Sequence, residues 1–194
     1  MRDRTRRISH KVVVIGLLAL ILLAGDALAA SRIKRAIIGT VQTVDKTAKT
    51  IVVKTANGTV ETIKWTGKTT VSGLAHGAKA ADFVGRDGTY VVVHYTVKGA
   101  KQTAIALEDI GKEAPKIAVG TLKATGSGAR KLAILTADGS EEVFDLSKNA
   151  MVYTGTGVSH AAAFTAKKAA ASAKITIHYT ELGGRKVAHL IRRM

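Results

Sequence analysis

From residue 35 onward the chain states the same pattern twice, and that repetition restricts the available folds more than any other feature. At an offset of 81 residues, Gly39-Thr40 matches Gly120-Thr121, Ala48-Lys49 matches Ala129-Arg130, Thr55-Ala56 matches Thr136-Ala137, Gly58 matches Gly139 and Glu61 matches Glu142. After a three-residue insertion near Thr154–Gly157 the offset becomes 84. It then pairs His76 with His160, His94-Tyr95-Thr96 with His178-Tyr179-Thr180, Gly99 with Gly183 and Ala104 with Ala188. A fixed period of this length marks tandem copies of one supersecondary unit. The first copy spans 35–111 and the second 116–194, and the linker 112–115 ends in the only proline, Pro115.

Each copy reads as strands. Ile51, Val53 and Thr55 alternate with exposed positions, Asn57-Gly58 follows, and Ile63 and Trp65 resume the alternation. Leu132, Ile134 and Thr136, then Asp138-Gly139, then Phe144 and Leu146 do the same in the second copy. Asn-Gly or Asp-Gly between alternating runs predicts a hairpin, with a type I′ turn as the expected geometry. Ile37–Val44 and Ile117–Ala124 supply a first strand. Tyr90–Val97 and Lys174–Thr180 supply a fourth, and Gln102–Ile110 and Lys186–Ile191 a fifth. The alanine-rich stretches His76–Val84 and His160–Ser172 favour helix. The expected fold is mainly β: two tandem small five-stranded OB-like barrels, each with one short helix between strands three and four. At about 78 residues a copy is near the lower size limit for a self-sufficient core, so the copies are expected to touch.

Four elements carry a resemblance: Gly39-Thr40-Val41, Lys49–Gly58, Gly88–Val93 and Lys101–Ala104. Their order resembles a bacterial family of secreted or periplasmic domains of unknown function, built as small OB-like β-barrel repeats. The likeness covers nearly all of the chain after its leader. The second copy departs from it where Gly126-Ser127-Gly128 replaces the Asp45-Lys46-Thr47 turn. The resemblance implies a small barrel and an envelope location, and brings no catalytic residues with it.

The leader is residues 1–29. Arg2, Arg4, Arg6, Arg7 and Lys11 precede an apolar run from Val12 to Gly25, and Ala27-Leu28-Ala29 follows. Basic residues, a short apolar core and an A-x-A site make a secretory signal peptide. The run is shorter than the roughly 20 residues of a membrane-spanning helix, so export to the periplasm or the exterior is expected, with an uncleaved membrane anchor as the alternative. The chain has 30 Lys and Arg against 14 Asp and Glu, and no cysteine. Without the leader's five basic and two acidic residues, 25 and 12 remain, a net charge of +13. The absence of cysteine excludes disulfides, thiol catalysis and thiolate metal sites.

The candidate chemistry is sparse. Gly67-Lys68-Thr69 looks like the end of a phosphate-binding loop, but Thr62 stands where that motif needs its first glycine, and a plain turn is expected. Glu141 and Glu142 are adjacent, so they point to opposite faces of one strand and cannot act as a catalytic pair. No hydrolase or metalloprotease motif is present, and no cofactor is expected. The duplicated histidines His76, His94, His160 and His178 are the candidate metal ligands, although a tight site wants three or four donors. His94 and His178 alternate with core residues and should project away from the core as polar surface groups.

Charge is spread evenly over the copies, as +6 over residues 30–111 and +7 over 112–194. Single-strand nucleic-acid binders need exposed aromatics. Here Trp65, Tyr95, Phe144 and Tyr179 fall on the apolar faces, so nucleic acid is not the expected partner. The leading expectation is a non-enzymatic exported binding or scaffold module for anionic envelope polymers, lipid headgroups or a protein partner. A divalent-metal-binding protein is the alternative, and an enzyme comes third.

Overall fold

The computed structural model describes residues 33–123, 130–154, 157–161 and 172–194. Its strands lie in two six-stranded sheets. The first contains β1 (Ile33–Asp45), β2 (Thr50–Thr55), β3 (Val60–Lys64), β4 (Thr70–Ser72), β5 (Tyr90–Lys98) and β6 (Lys101–Gly111), in the order β3-β2-β1-β5-β6-β4. The second contains β7 (Lys116–Lys123), β8 (Lys131–Leu135), β9 (Glu141–Thr154), β10 (Gly157–His160), β11 (Lys174–Leu182) and β12 (Arg185–Arg193), in the order β10-β9-β12-β11-β7-β8. Residues 112–115 join β6 to β7.

In the second sheet β8 also pairs with β9, so β7, β8, β9, β12 and β11 close into a five-stranded barrel. The closing strand β9 runs parallel to β12 through Val187↔Asp145, Ala188↔Leu146 and Leu190↔Met151. In the first sheet the corresponding pairings are divided between two short strands. β3 meets β6 at Lys64↔Thr103, and β4 meets it from Thr70↔Ala106 to Ser72↔Glu108. Sequence alternation had marked neither β4 nor β10, because three or four residues are too few to show a period of two.

The alternating residues form the core. Ile51, Val53, Ile63, Val91, Val93 and Leu107 are buried in the first sheet, and Leu132, Ile134, Phe144, Ile175, Ile177 and Ile191 occupy the offset positions in the second. Each such side chain contributes about 1.5–3 kcal/mol through removal from water. Phe144 and Tyr179 meet edge to face with ring centres 5.1 Å apart, an arrangement that suits the aromatic quadrupole.

Two glycines of the repeat have a steric reason. A Cβ on Gly39 would lie 2.3 Å from the carbonyl oxygen of Lys54, and one on Gly120 would lie 2.6 Å from that of Leu135. At both places one strand crosses its neighbour too closely for any side chain.

The hairpin tips are at 55–59 and 136–140, but the turn is not type I′. Gly58 and Gly139 have φ of +85° and +84°, while neither Asn57 nor Asp138 is in the positive-φ region. Gly58 N–H donates to Thr55 O at 2.9 Å, and Thr55 N–H donates to Thr59 O at 2.9 Å. This is a type I turn followed by a left-handed glycine, the usual form of a three-residue hairpin loop. Asn57 stays right-handed because its side-chain oxygen accepts from Thr59 N–H at 3.2 Å. Nothing lies within 4 Å of a Cβ on Gly58, so a substitution there tests backbone strain alone. Gly58→Val should lower stability by about 1 kcal/mol or more, read as a shift in a denaturant midpoint. An unchanged midpoint would show that the glycine's conformation is not needed.

The expected helix over His76–Val84 is not formed. A single 3-10 turn covers Ala80–Phe83, burying Ala80 and Phe83. Gly77 and Gly85, with φ of +82° and +78°, bracket the segment and leave too few residues to offset the cost of nucleating a helix. The other expected helix, His160–Ser172, lies mostly outside the described residues.

The two halves touch. From Val91 to Tyr95 every residue of β5 is buried, so this strand is covered on both faces. Val91, Val93 and Tyr95 enter the first core, and Val92 and His94 look the other way, toward the second half.

Candidate functional site

The seam between the halves is built from polar groups. Glu108 on β6 and His189 on β12 are both buried, and His189 Nδ1–H donates to Glu108 Oε1 at 2.9 Å. Ser147 donates its hydroxyl to the other carboxylate oxygen at 3.2 Å. His189 Nε2 faces the Thr180 hydroxyl at 2.8 Å, so both ring nitrogens are satisfied. Asn149 on β9 donates to Ser72 Oγ at 2.8 Å, and Arg192 donates to Ala36 O at 3.1 Å. Thus β1, β4 and β6 are each tied to β9 or β12 by side chains, beyond any strand pairing.

His94 is the least accommodated member of this seam. It is fully buried, with Nδ1 2.9 Å from the Tyr153 hydroxyl. That hydroxyl gives its one proton to Arg35 O at 3.0 Å, so His94 must be the donor at Nδ1. Nε2 is then a bare acceptor, buried without a hydrogen-bond partner. Burial lowers the imidazole pKa to about 4, with Glu108 opposing the shift and His160 adding to it. A stacked ring contact with Tyr153, centroids 6.0 Å apart, holds the imidazole in place. Burial also pushes the Tyr153 hydroxyl well above its usual range, so it remains a neutral donor.

Of the four duplicated histidines, His94 and His160 lie near enough to act on each other electrostatically. His76 is exposed in the turn after β4, His160 is exposed at the end of β10, and His178 is half-buried on β11. Burial, then Arg192, lowers the His178 pKa. Among the described residues no group of three or more histidine, aspartate or glutamate side chains is placed to hold a metal ion. His94 does project away from its core as expected, but into the seam and not into solvent. His189 falls outside the repeated histidine pairs, so the repeat carries no sign of it. Its signal is a lone polar residue inside the buried run Ala188–Ile191, just as Glu108 follows Ala104–Leu107.

The other candidates have structural duties. Thr69 of Gly67-Lys68-Thr69 donates its hydroxyl to Ala104 O at 2.8 Å, and Thr69 N–H closes a turn on Thr66 O at 3.0 Å. Glu141 pairs with Lys123, and Glu142 with Lys186 at 3.1 Å. Trp65, Tyr95, Phe144 and Tyr179 are all buried. Among the described residues no helix is long and apolar enough to cross a membrane.

No protein-family model matches the sequence, and no curated protein matches it. Among solved structures, the crystal structure of CusF with silver(I) gives a TM-score of 0.31 at 14% identity, over 40% of this chain and 97% of that one. Silver-bound CusF from Escherichia coli gives 0.32 at 15% identity, over 42% and 98%. The apo form from the same organism gives 0.31 at 14%, over 45% and 98%. Likenesses of this size say nothing of what the present chain binds.

Proposed function

We propose that this chain is a non-enzymatic, exported binding or scaffold module that attaches to anionic envelope material through its basic surface. In this reading it comprises two tandem five-stranded OB-like barrels, related to the bacterial secreted-domain family noted above. The observation that carries the reading is the net charge of +13 after the leader, divided evenly between the halves. Ion pairs occupy few of the basic side chains. Among the described residues they engage Arg86, Lys116, Lys123, Arg185 and Lys186. The other exposed lysines and arginines enter no ion pair among the described residues, and a net positive charge draws polyanions without reading their sequence.

Binding of this kind must fade with salt, since the screening length falls from about 10 Å at 0.1 M to about 3 Å at 1 M. The protein should be retained on a polyanion column such as heparin at low salt and elute at moderate salt. Passage without retention at low salt would remove the reading. The alternative, a divalent cation on the duplicated histidines, is separated by zinc titration calorimetry, where the anion reading expects no binding heat.

A further inference from the structure

We propose that the cleft beside Trp65 is a specific binding site for an acidic, hydroxyl-bearing ring, such as one uronic acid unit of a polysaccharide. This deepens the anion-binding reading and rests on it. The cleft has a volume of about 550 Å³ and is lined by Lys49, Trp65, Thr66, Lys79, Lys148 and Asn149 among others, with no acidic residue in its walls. That volume lies within the range of small-molecule sites and exceeds what a lone inorganic anion needs. Lys49, Lys79 and Lys148 are exposed and enter no ion pair among the described residues. Three lysines without ion-pair partners among the residues lining one concavity give it a positive potential.

The lining selects the rest of the ligand. Trp65 is almost wholly buried beneath the cleft, and half-buried Val71 adds a small apolar surface against which the C–H edge of a ring can rest. Thr66 Oγ1 accepts from Lys68 N–H at 3.2 Å and keeps its own proton for a partner. Asn149 uses its NH₂ on Ser72, leaving its carbonyl oxygen to accept from a ligand hydroxyl. An acyl chain would leave these polar groups unmatched, whereas a hydroxylated ring with a carboxylate meets both kinds.

The backbone also points to this place. Lys49 is left-handed, with φ of +56°, at the end of a turn in which Asp45 accepts from Thr47 and Ala48 N–H at 2.8 Å each. Trp65 N–H donates to Lys49 O at 2.9 Å, so the Lys49 backbone is fixed beside Trp65, one residue past β3. The second half repeats the arrangement at an offset of 81. Leu146 N–H donates to Arg130 O at 2.7 Å, and a smaller cleft of about 270 Å³ is lined by Arg130, Leu146, Lys148 and His160, again without an acidic residue. Lys148 lines both clefts. Leucine in place of tryptophan and the smaller volume make the first cleft the larger receptor.

The test uses the full protein after leader removal and an oligogalacturonide of about six units at low salt. The combined variant Lys49→Ala, Lys79→Ala, Lys148→Ala should lose about tenfold or more in affinity, the sum of three modest charge contacts. The charge-matched control Lys54→Ala, Lys98→Ala, Lys101→Ala, exposed positions outside the cleft, should lose no more than about threefold by the same reasoning. A neutral hexasaccharide should not bind. Equal losses in the two variants would overturn the site while leaving the broader anion reading intact. Tighter binding to inorganic phosphate, or to vesicles of anionic phospholipid, would overturn the ligand class. Failure of the unaltered protein to bind any of the three anionic probes would overturn the anion reading itself.

Discussion

Replacing Glu108 with alanine should cost about 1–3 kcal/mol of folding stability, the usual penalty for leaving buried hydrogen-bonding groups unmatched. Glu108 is only 4% exposed and accepts from both His189 and Ser147. Its loss strands a buried imidazole and a hydroxyl, and the halves cannot close around them without a void. Glu108→Gln keeps two acceptor–donor contacts within reach and should cost distinctly less. The check is a denaturant series on the unaltered protein and both variants. A loss below about 1 kcal/mol for the alanine variant, the scale of a surface pair, would mean that the seam is not closed in solution.

Acid should weaken the same seam through His94. Its folded pKa is lowered to about 4, against 6.5 for a free imidazole. Above pH 6.5 both states are neutral and the full stability is present. As pH falls from 6.5 to about 4 the unfolded chain takes up the proton first, so folding is opposed over that window. The difference between 6.5 and about 4 corresponds to about 3 kcal/mol at the lower end of the window. His178, also lowered by burial, adds in the same direction. Carboxylates titrate near the bottom of this window, so the comparison needed is between the protein and His94→Gln. The unaltered protein should lose about 3 kcal/mol more than the variant between pH 7 and pH 4. Parallel profiles would show that the imidazole is already charged, or exposed, in the folded state.

The sequence made the interior of each half legible because the signals there are local. Ile51, Val53 and Ile63 alternate, Gly58 turns the chain, and Gly39 and Gly120 recur where strands cross. The seam was illegible for a related reason. Each half repeats what it does for itself, so a search for repetition finds core and turns. Contacts between halves need complementary groups, and these appear as departures from the repeat. Glu108 corresponds to Arg192 at the offset of 84, and Tyr153 to Ser72 at 81. The duplicated histidines drew attention to His76 and His160, which the structure leaves exposed, and away from His189, which it uses. Val92 was the available clue: it puts a valine on the outward face of β5, where the matching strand β11 carries Thr176.

The pairing of Glu108 with Arg192 in the repeat has a consequence for how such a seam can arise. Positions 72 and 108 and their counterparts 153 and 192 all lie on it. In a symmetric homodimer each position must serve both subunits with one residue type, because the same patch appears twice. A carboxylate chosen for one side would be imposed on the other, where this protein needs a guanidinium reaching Ala36 O. Joining the halves in one chain releases that restriction, and each side of the seam carries the group its neighbour requires. The two sides of the seam are a matched pair, and two copies of either one would not reproduce the contact.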